Sequence, residues 1–409
     1  MKVLIIGGGG RCHAIADSLS KSERVSKIYC APGNGGIAEI ADCVPIHVSD
    51  IDALLEFAKQ NEIDLTIVGP EAALALGIVD RFREEGLKIF GPTKKAALIE
   101  SSKNFAKELM SRHGIPTASY STFDNYEEAL EYVKTGPIPV VIKYDGLAAG
   151  KGVVVALTLK EAEDALRDML LDEAFGKGKV VIEEFLDGPE FSFMCLVNGR
   201  KVYPLAIARD HKRAYDHDDG PNTGGMGAYS PVPFITDEIR KTALDTIMQP
   251  VADAMADEGT PFTGVLYGGL ILHHGQPKVI EFNARFGDPE TEVVLPRLKT
   301  DFYELIDAAT DGRDIVTEWK DETVLGVVMA SEGYPGRYEK GHEIRGVANA
   351  KAYHMGTVKR DGKYLSSGGR VLMVMGQGKD LEEARRMAYH QVEHIDCPTL
   401  FNRNDIGKA

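Results

Sequence analysis

The chain opens on an apolar run, Val3 to Ile6, that leads into four glycines and then into apolar positions spaced for a helix. The same alternation recurs up to about residue 100. Lys27 to Cys30, Asp64 to Val68 and Leu87 to Phe90 read as short buried strands with helical patterns between them. One of those helices, Ile51 to Gln60, follows the capping residues Ser49 and Asp50 and places Leu54, Leu55 and Ala58 on one face. Strands alternating with helices predict an open parallel sheet, which binds its ligands beyond the carboxyl ends of the strands. A helix from about Ser101 to His113, ended by Gly114 and Pro116, marks a change of domain.

Between about 114 and 187 the pattern predicts a helix (Tyr126 to Lys134), two strands flanking the tract KYDGLAAGKG at 143 to 152, a second helix (Leu159 to Leu171) and a strand, Val180 to Glu184. Residues 188 to 315 read as strand-rich, with a glycine-rich tract at 220 to 227 and strands Val265 to His273 and Pro277 to Asn283. The tail adds strands Leu325 to Ala330 and Arg370 to Met375. It then predicts an amphipathic helix with Leu381, Ala384, Ala388, Val392 and Ile395 on one face. The expected division is 1–100, 101–320 with a flap subdomain at about 114–187, and 321–409.

Composition changes this picture little. At 409 residues the chain needs more than one core. With 44% hydrophobic and 27% charged residues, and no apolar run near the roughly 20 residues that span a bilayer, a membrane protein is excluded. The first residues read as a strand and not a signal peptide, so a cytoplasmic location is expected. Cys12, Cys30, Cys43, Cys195 and Cys397 form no C-x-x-C pair, which argues against disulfides or structural zinc. The net charge of −15 disfavours nucleic acid but leaves room for a local basic pocket holding a small anion. A monomer or weak homodimer is expected.

Gly7 to Gly10 mimic a dinucleotide fingerprint, but Cys12 stands where its last glycine belongs, and the second strand ends Tyr29 Cys30 Ala31 Pro32 without a ribose-binding carboxylate. A glycine turn opening a helix still offers N–H groups to an anion, with Arg11 adding charge. The tract at 143 to 152 is not a Walker A loop, because Gly152 follows Lys151 where Ser or Thr is required. It reads as a flexible flap over phosphates with Lys143 at its root, or as an ordinary hairpin loop.

In VIEFNARFGDPE, residues 279 to 290, strand alternation puts Glu281, Asn283 and Arg285 on one face and Phe282, Ala284 and Phe286 on the other. Oxygen ligands two residues apart, roughly 6.6 Å between Cα atoms, can share one hard cation such as Mg²⁺, completed by phosphate oxygens. Arg285 beside it would stabilise developing charge. The other reading is a hairpin face with an ordinary ion pair. The further carboxylates Asp288 and Glu290 would then repel Glu281 unless cations lie among them.

Together, the lysine-flanked flap, the hinge Glu183 Glu184 Phe185 Leu186, the E-x-N strand and the tract GPNTGGMGAYSP (220 to 231) resemble the ATP-grasp ligases. Within them the chain is most similar to the glycinamide ribonucleotide synthetase family. Gly9 Gly10 Arg11, Ala31 to Asn34, Val68 to Glu71, Asp210 to Arg213 and Asp405 to Gly407 extend the resemblance over nearly the whole length.

The resemblance implies an α/β chain: an N-terminal open parallel sheet domain, an ATP-grasp fold of two αβ subdomains and a small C-terminal α/β domain. It implies a ligase of purine synthesis that joins glycine to 5-phosphoribosylamine through a glycyl phosphate, with ATP and Mg²⁺ or Mn²⁺. Lys103, Lys143 and Gly150 would meet the ATP phosphates, Glu183, Glu184 and Leu186 would form the adenine hinge, and Glu190 would hold the ribose. Glu281 and Asn283 would hold the metal. Asp210, Lys212 and Arg285 would act at the reacting centre. Glu71, Asn222, Thr223, Gly224, Gly225, Met226 and Asp288 would shape the substrate site, and Gly9, Gly10 and Arg11 would receive the sugar phosphate.

Cys12, Tyr144 and Arg209 depart from the family's usual Glu, Ala and Gln. Cys12 would remove a carboxylate beside the phosphate site, and its thiol, with an ordinary pKa of about 8.5, would be mostly neutral. Tyr144 would stack or pack at the flap's root. Another ATP-grasp ligase with a different acceptor and an inactive nucleotide-binding paralogue are the alternatives.

Overall fold

The computed structural model describes residues 1–148 and 152–408. The first sheet is five-stranded and parallel, in the order Asp42–Cys43, Lys27–Pro32, Lys2–Gly7, Leu65–Val68, Ile89–Phe90. The chain therefore reverses its direction of strand addition at Lys2–Gly7, and the glycines after that strand lie where such sheets form a crevice. The helix Ile51–Gln60 has the expected bounds, with the Asp50 carboxylate accepting from the Ala53 N–H.

The expected helix at 101–113 is two pieces, Leu98–Ser101 and Lys103–Arg112, broken at Ser102. Ser102 is extended, and its hydroxyl accepts from the Phe105 N–H. A serine able to satisfy an orphan N–H competes with helix continuation, and here capping wins.

A four-stranded antiparallel sheet, ordered Tyr120–Phe123, Val180–Glu184, Val140–Tyr144, Val153–Ala156, carries the flap. Helices Tyr126–Thr135 and Leu159–Leu170 cover it around a separate core that includes Ile142, Leu166 and Ile182. A second antiparallel sheet, ordered Lys201–Pro204, Glu190–Asn198, Thr263–His273, Gln276–Asn283, faces it. The two meet where the Thr117 hydroxyl donates to the Val279 carbonyl, 2.8 Å away.

The strand-rich reading of 188–315 is incomplete. Asp237–Ala243, Leu244–Met248 and Gln249–Asp257 form one continuous helical stretch, and Phe302–Asp311 is a further helix. Buried Ile247, Met248, Val251 and Met255 give the stretch an apolar face against the central sheet. In the last sheet, Thr323–Ser331 lies between Gly227–Ser230 and Arg370–Gly378, so a strand from the middle of the chain completes the sheet of the tail. The helix Leu381–Val392 packs on it with Ala384 and Ala388 buried; Ile395 lies beyond the helix, in a turn. No helix among the described residues is long and apolar enough to cross a membrane.

Candidate active site

A cavity of about 870 Å³ opens between the flap sheet and the central sheet. Its floor is the strand Gln276–Asn283, and one irregularity in that strand decides what faces the cavity. Gly269 pairs with Glu281 while Leu270 pairs with Val279, which leaves Ile280 as an extra residue. Such a bulge reverses the alternation: Val279 and Phe282 are both buried, and Glu281 and Asn283 turn to the cavity. The same bulge frees the Ile280 carbonyl, which accepts from the Lys143 ammonium at 2.9 Å.

Four cations act on the Glu281 carboxylate. Burial works against its charge, but Lys212, Lys143, Lys103 and Arg285 together hold its pKa below the usual carboxylate value. Lys103, first residue of its helix, donates to the Gly146 carbonyl at 3.1 Å, and burial lowers its own pKa despite Glu281. Asp145 ties the flap to the same helix end, accepting from the Asn104 N–H and the Ser102 hydroxyl, each at 3.1 Å. Gly146, Leu147, Ala148 and Gly152 line the cavity roof, whereas Gly150 lies outside the described residues.

Arg285 is held between two carboxylates, with Nε 3.4 Å from Glu71 and Nη2 3.2 Å from Glu100. Burial opposes its charge, yet Glu100 and Glu71 raise its pKa. Glu100 also accepts from the Ala284 N–H at 2.7 Å, which fixes the backbone just before Arg285. On the neighbouring wall Lys212 donates to Glu190 at 3.1 Å, and Glu190, ahead of burial in weight, raises the lysine's pKa well above normal. Burial, with Glu290 nearby, pushes the Asp210 carboxyl up to about 7. Lys212 also accepts at its carbonyl from the Thr223 N–H and hydroxyl, at 2.7 and 2.8 Å.

Along the adenine-hinge segment, Glu184 is exposed and accepts from Ser119, while Leu186 packs with Ala118 and Ile271. Glu183 is turned inward, 3.0 Å from Lys143. Asn222, Thr223 and Gly224 line the cavity; Gly225 does not, and the Met226 side chain is wholly buried in the core.

The N-terminal glycines are placed differently from Arg11. Gly9 precedes the helix Gly10–Ser20, and neither Gly9 nor Gly10 lines the cavity. The Arg11 N–H donates to Asp288 at 3.1 Å, so this helix end already holds a carboxylate. Arg11 itself reaches the cavity, its guanidinium donating to the Phe286 carbonyl. The expected clash among Glu281, Asp288 and Glu290 is relieved by the partners each one has. Asp288 is paired with Arg11 and Arg370, and Glu290 accepts from the Ser192 and Tyr267 hydroxyls at 2.9 and 2.7 Å.

One of the departures needs correction, and for another the structure chooses between the two readings. Cys12 does not face a phosphate site: it is buried, and a Cβ built on Gly7 or Gly69 would lie 2.5 or 2.6 Å from its sulfur. Burial pushes its thiol up to about 12. Tyr144 packs, with its ring 5.4 Å from that of Phe175 over Gly178. A water-soluble maleimide at neutral pH should therefore label exposed Cys43 and spare Cys12, Cys30 and Cys195 until denaturant is added, as read by peptide mass.

Sequence reading missed Glu100, Lys107, Tyr267 and Arg370, all of which line the cavity. Arg370 comes from the tail, and its guanidinium donates to the carbonyls of Gly224 and Asp288 at 2.9 Å. Nothing local in its strand distinguishes it.

A cation fits this site. Among the described residues no three His, Cys, Asp or Glu side chains converge to hold a metal. The Glu281 carboxylate and Asn283 amide oxygen can supply two ligands, the usual protein share for Mg²⁺ on a phosphate substrate.

Models of the phosphoribosylglycinamide synthetase N domain, ATP-grasp (A) domain and C domain match residues 1–100, 101–291 and 324–409. A phosphoribosylamine–glycine ligase from Halalkalibacterium halodurans is 52% identical over 100% of this chain and 96% of its own. The crystal structure of a phosphoribosylamine–glycine ligase from Thermotoga maritima superposes with a TM-score of 0.90 at 36% identity, covering 99% of this chain and 100% of that one. The biotin carboxylase domain of a Hydrogenobacter thermophilus 2-oxoglutarate carboxylase, solved with MgADP and bicarbonate, shares the fold alone. Its TM-score is 0.74 at 16% identity, over 98% of this chain and 91% of that one. The parallel sheet at the start, the flap and strand around the cavity and these full-length matches give one conclusion: the chain belongs to the phosphoribosylglycinamide synthetase family.

Proposed function

We propose that this chain joins glycine to 5-phosphoribosylamine with ATP, releasing glycinamide ribonucleotide, ADP and phosphate. The observation that carries this reading is the convergence of Lys103, Lys143, Lys212 and Arg285 on the Glu281 carboxylate beneath the flap. Each of the four lines the same cavity, so a polyphosphate bound there would meet all of them, and Lys103 has the neutral Gly146 carbonyl as its hydrogen-bond partner.

In this reading Lys103 and Lys143 receive the phosphates, and the backbone of Glu184 and Leu186 reads the adenine. Glu281 and Asn283 would hold a Mg²⁺ or Mn²⁺ ion, which would supply positive charge to offset that of the phosphates. A glycine carboxylate oxygen attacks the terminal phosphorus and ADP leaves; the ribosylamine nitrogen then attacks the acyl carbon and phosphate leaves. Arg285 stabilises the acyl phosphate, and Lys212 orients the substrates. Asp210, with its carboxyl raised to about 7, is suited to take the proton the amine gives up.

The pure protein with ATP, Mg²⁺, glycine and freshly made phosphoribosylamine should release phosphate, and omitting any one of them should stop it. ATP consumption that is equal without glycine would overturn the assignment.

A further inference from the structure

Lys107 lies one helical turn beyond Lys103, and its side chain is only 3% exposed. Its ammonium is 3.2 Å from Glu183 Oε2, donates to the Thr117 hydroxyl at 2.7 Å and to the Ala118 carbonyl at 3.4 Å, and lies 5.7 Å from the Tyr120 ring. The other oxygen of Glu183 is 3.0 Å from Lys143. Two ammoniums thus share one buried carboxylate. A lone Glu183 would neutralise Lys143, and the wall facing the cavity would carry no net charge; with Lys107 present the trio sums to one positive charge.

We infer that Lys107 is a positioning residue for the nucleotide site: it balances Glu183, so that Lys143 keeps an uncompensated charge toward the triphosphate. This rests on the reading of Lys143 as a phosphate ligand.

The trio has a titration signature. Burial pushes the Lys107 ammonium down to about 8; Glu183 and Glu184 act against this and Lys143 adds to it. Below that pH Lys107 is charged and the wall carries its excess. As pH rises through about 8 the proton is lost, and Glu183 is left to Lys143 alone.

Calorimetric titration with MgADP tests this. In the wild-type protein the Kd should rise on the order of tenfold between pH 7 and pH 9, the effect of one charge moved near an anion in a partly dry site. Lys107→Arg, which stays charged, should lose most of that rise, and Lys107→Met should bind weakly already at pH 7. Lys103 titrates in every variant, so the result is read from the difference between wild type and Lys107→Arg; superimposable profiles would overturn the inference. That comparison holds even if Lys107→Met fails to fold. A Lys143→Met variant that binds MgADP like wild type would instead refute the nucleotide reading itself.

Discussion

Glu281→Gln should lower kcat by about a thousandfold, the loss expected when one preorganised electrostatic group is removed from a reacting centre. The change is isosteric, so no cavity is made, yet it removes the charge on which Lys103, Lys143, Lys212 and Arg285 act. It also converts the stronger of two oxygen ligands into a weak one and leaves the ammoniums to repel one another across the cavity. The midpoint of thermal unfolding should fall because those cations lose a shared counter-charge, but the fold should hold, since the buried neighbours Phe282 and Ala284 are untouched. Turnover close to wild type would remove Glu281 from any role in holding the cation.

Arg285→Met should be damaging in a second way. It should cost at least about a hundredfold in kcat through the lost guanidinium and about 3 kcal/mol in stability, because Glu100 is left buried without its partner. The stability loss has a pH dependence whose sign follows from Glu100. Burial already raises that carboxyl above its ordinary value, and without Arg285 it rises further. A folded state that binds the proton more tightly than the unfolded chain is relatively favoured in acid. The deficit should thus be full above the raised folded pKa and shrink as pH falls through it. Denaturant unfolding followed from pH 8 down through the acid range in which the protein stays folded checks this, and a deficit that is the same at every pH would exclude Glu100 as the cause. Arg285→Lys keeps the charge but not the two-pronged geometry, so it should recover most of the stability and less of the rate.

Much of this arrangement was legible in the chain itself. Periodicity gave the parallel strands at the start, the helix Ile51–Gln60 and the flap strands, because each buries a simple apolar run. The polar face of Glu281, Asn283 and Arg285 was readable because Phe282, Ala284 and Phe286 alternate with them. The bulge at Ile280 was not, since it exists only against the partner strand Thr263–His273. Nor were Glu100 and Lys107, which flank Lys103 but turn to the cavity through the break at Ser102 and the packing of its helix, nor Arg370, which arrives from the tail. The helical stretch 237–257 was missed although its apolar positions are helically spaced, because strands dominate the residues around it.

The placement of Gly227–Ser230 against Thr323–Ser331 bears on how the molecule comes into being. The loop before that strand, Asn222 to Gly224, lines the cavity, yet its support comes from residues the ribosome makes a hundred positions later, and Arg370 pins it from later still. A nascent chain that has already closed its flap sheet therefore still lacks one wall, and competence should arrive only as the closing strands emerge.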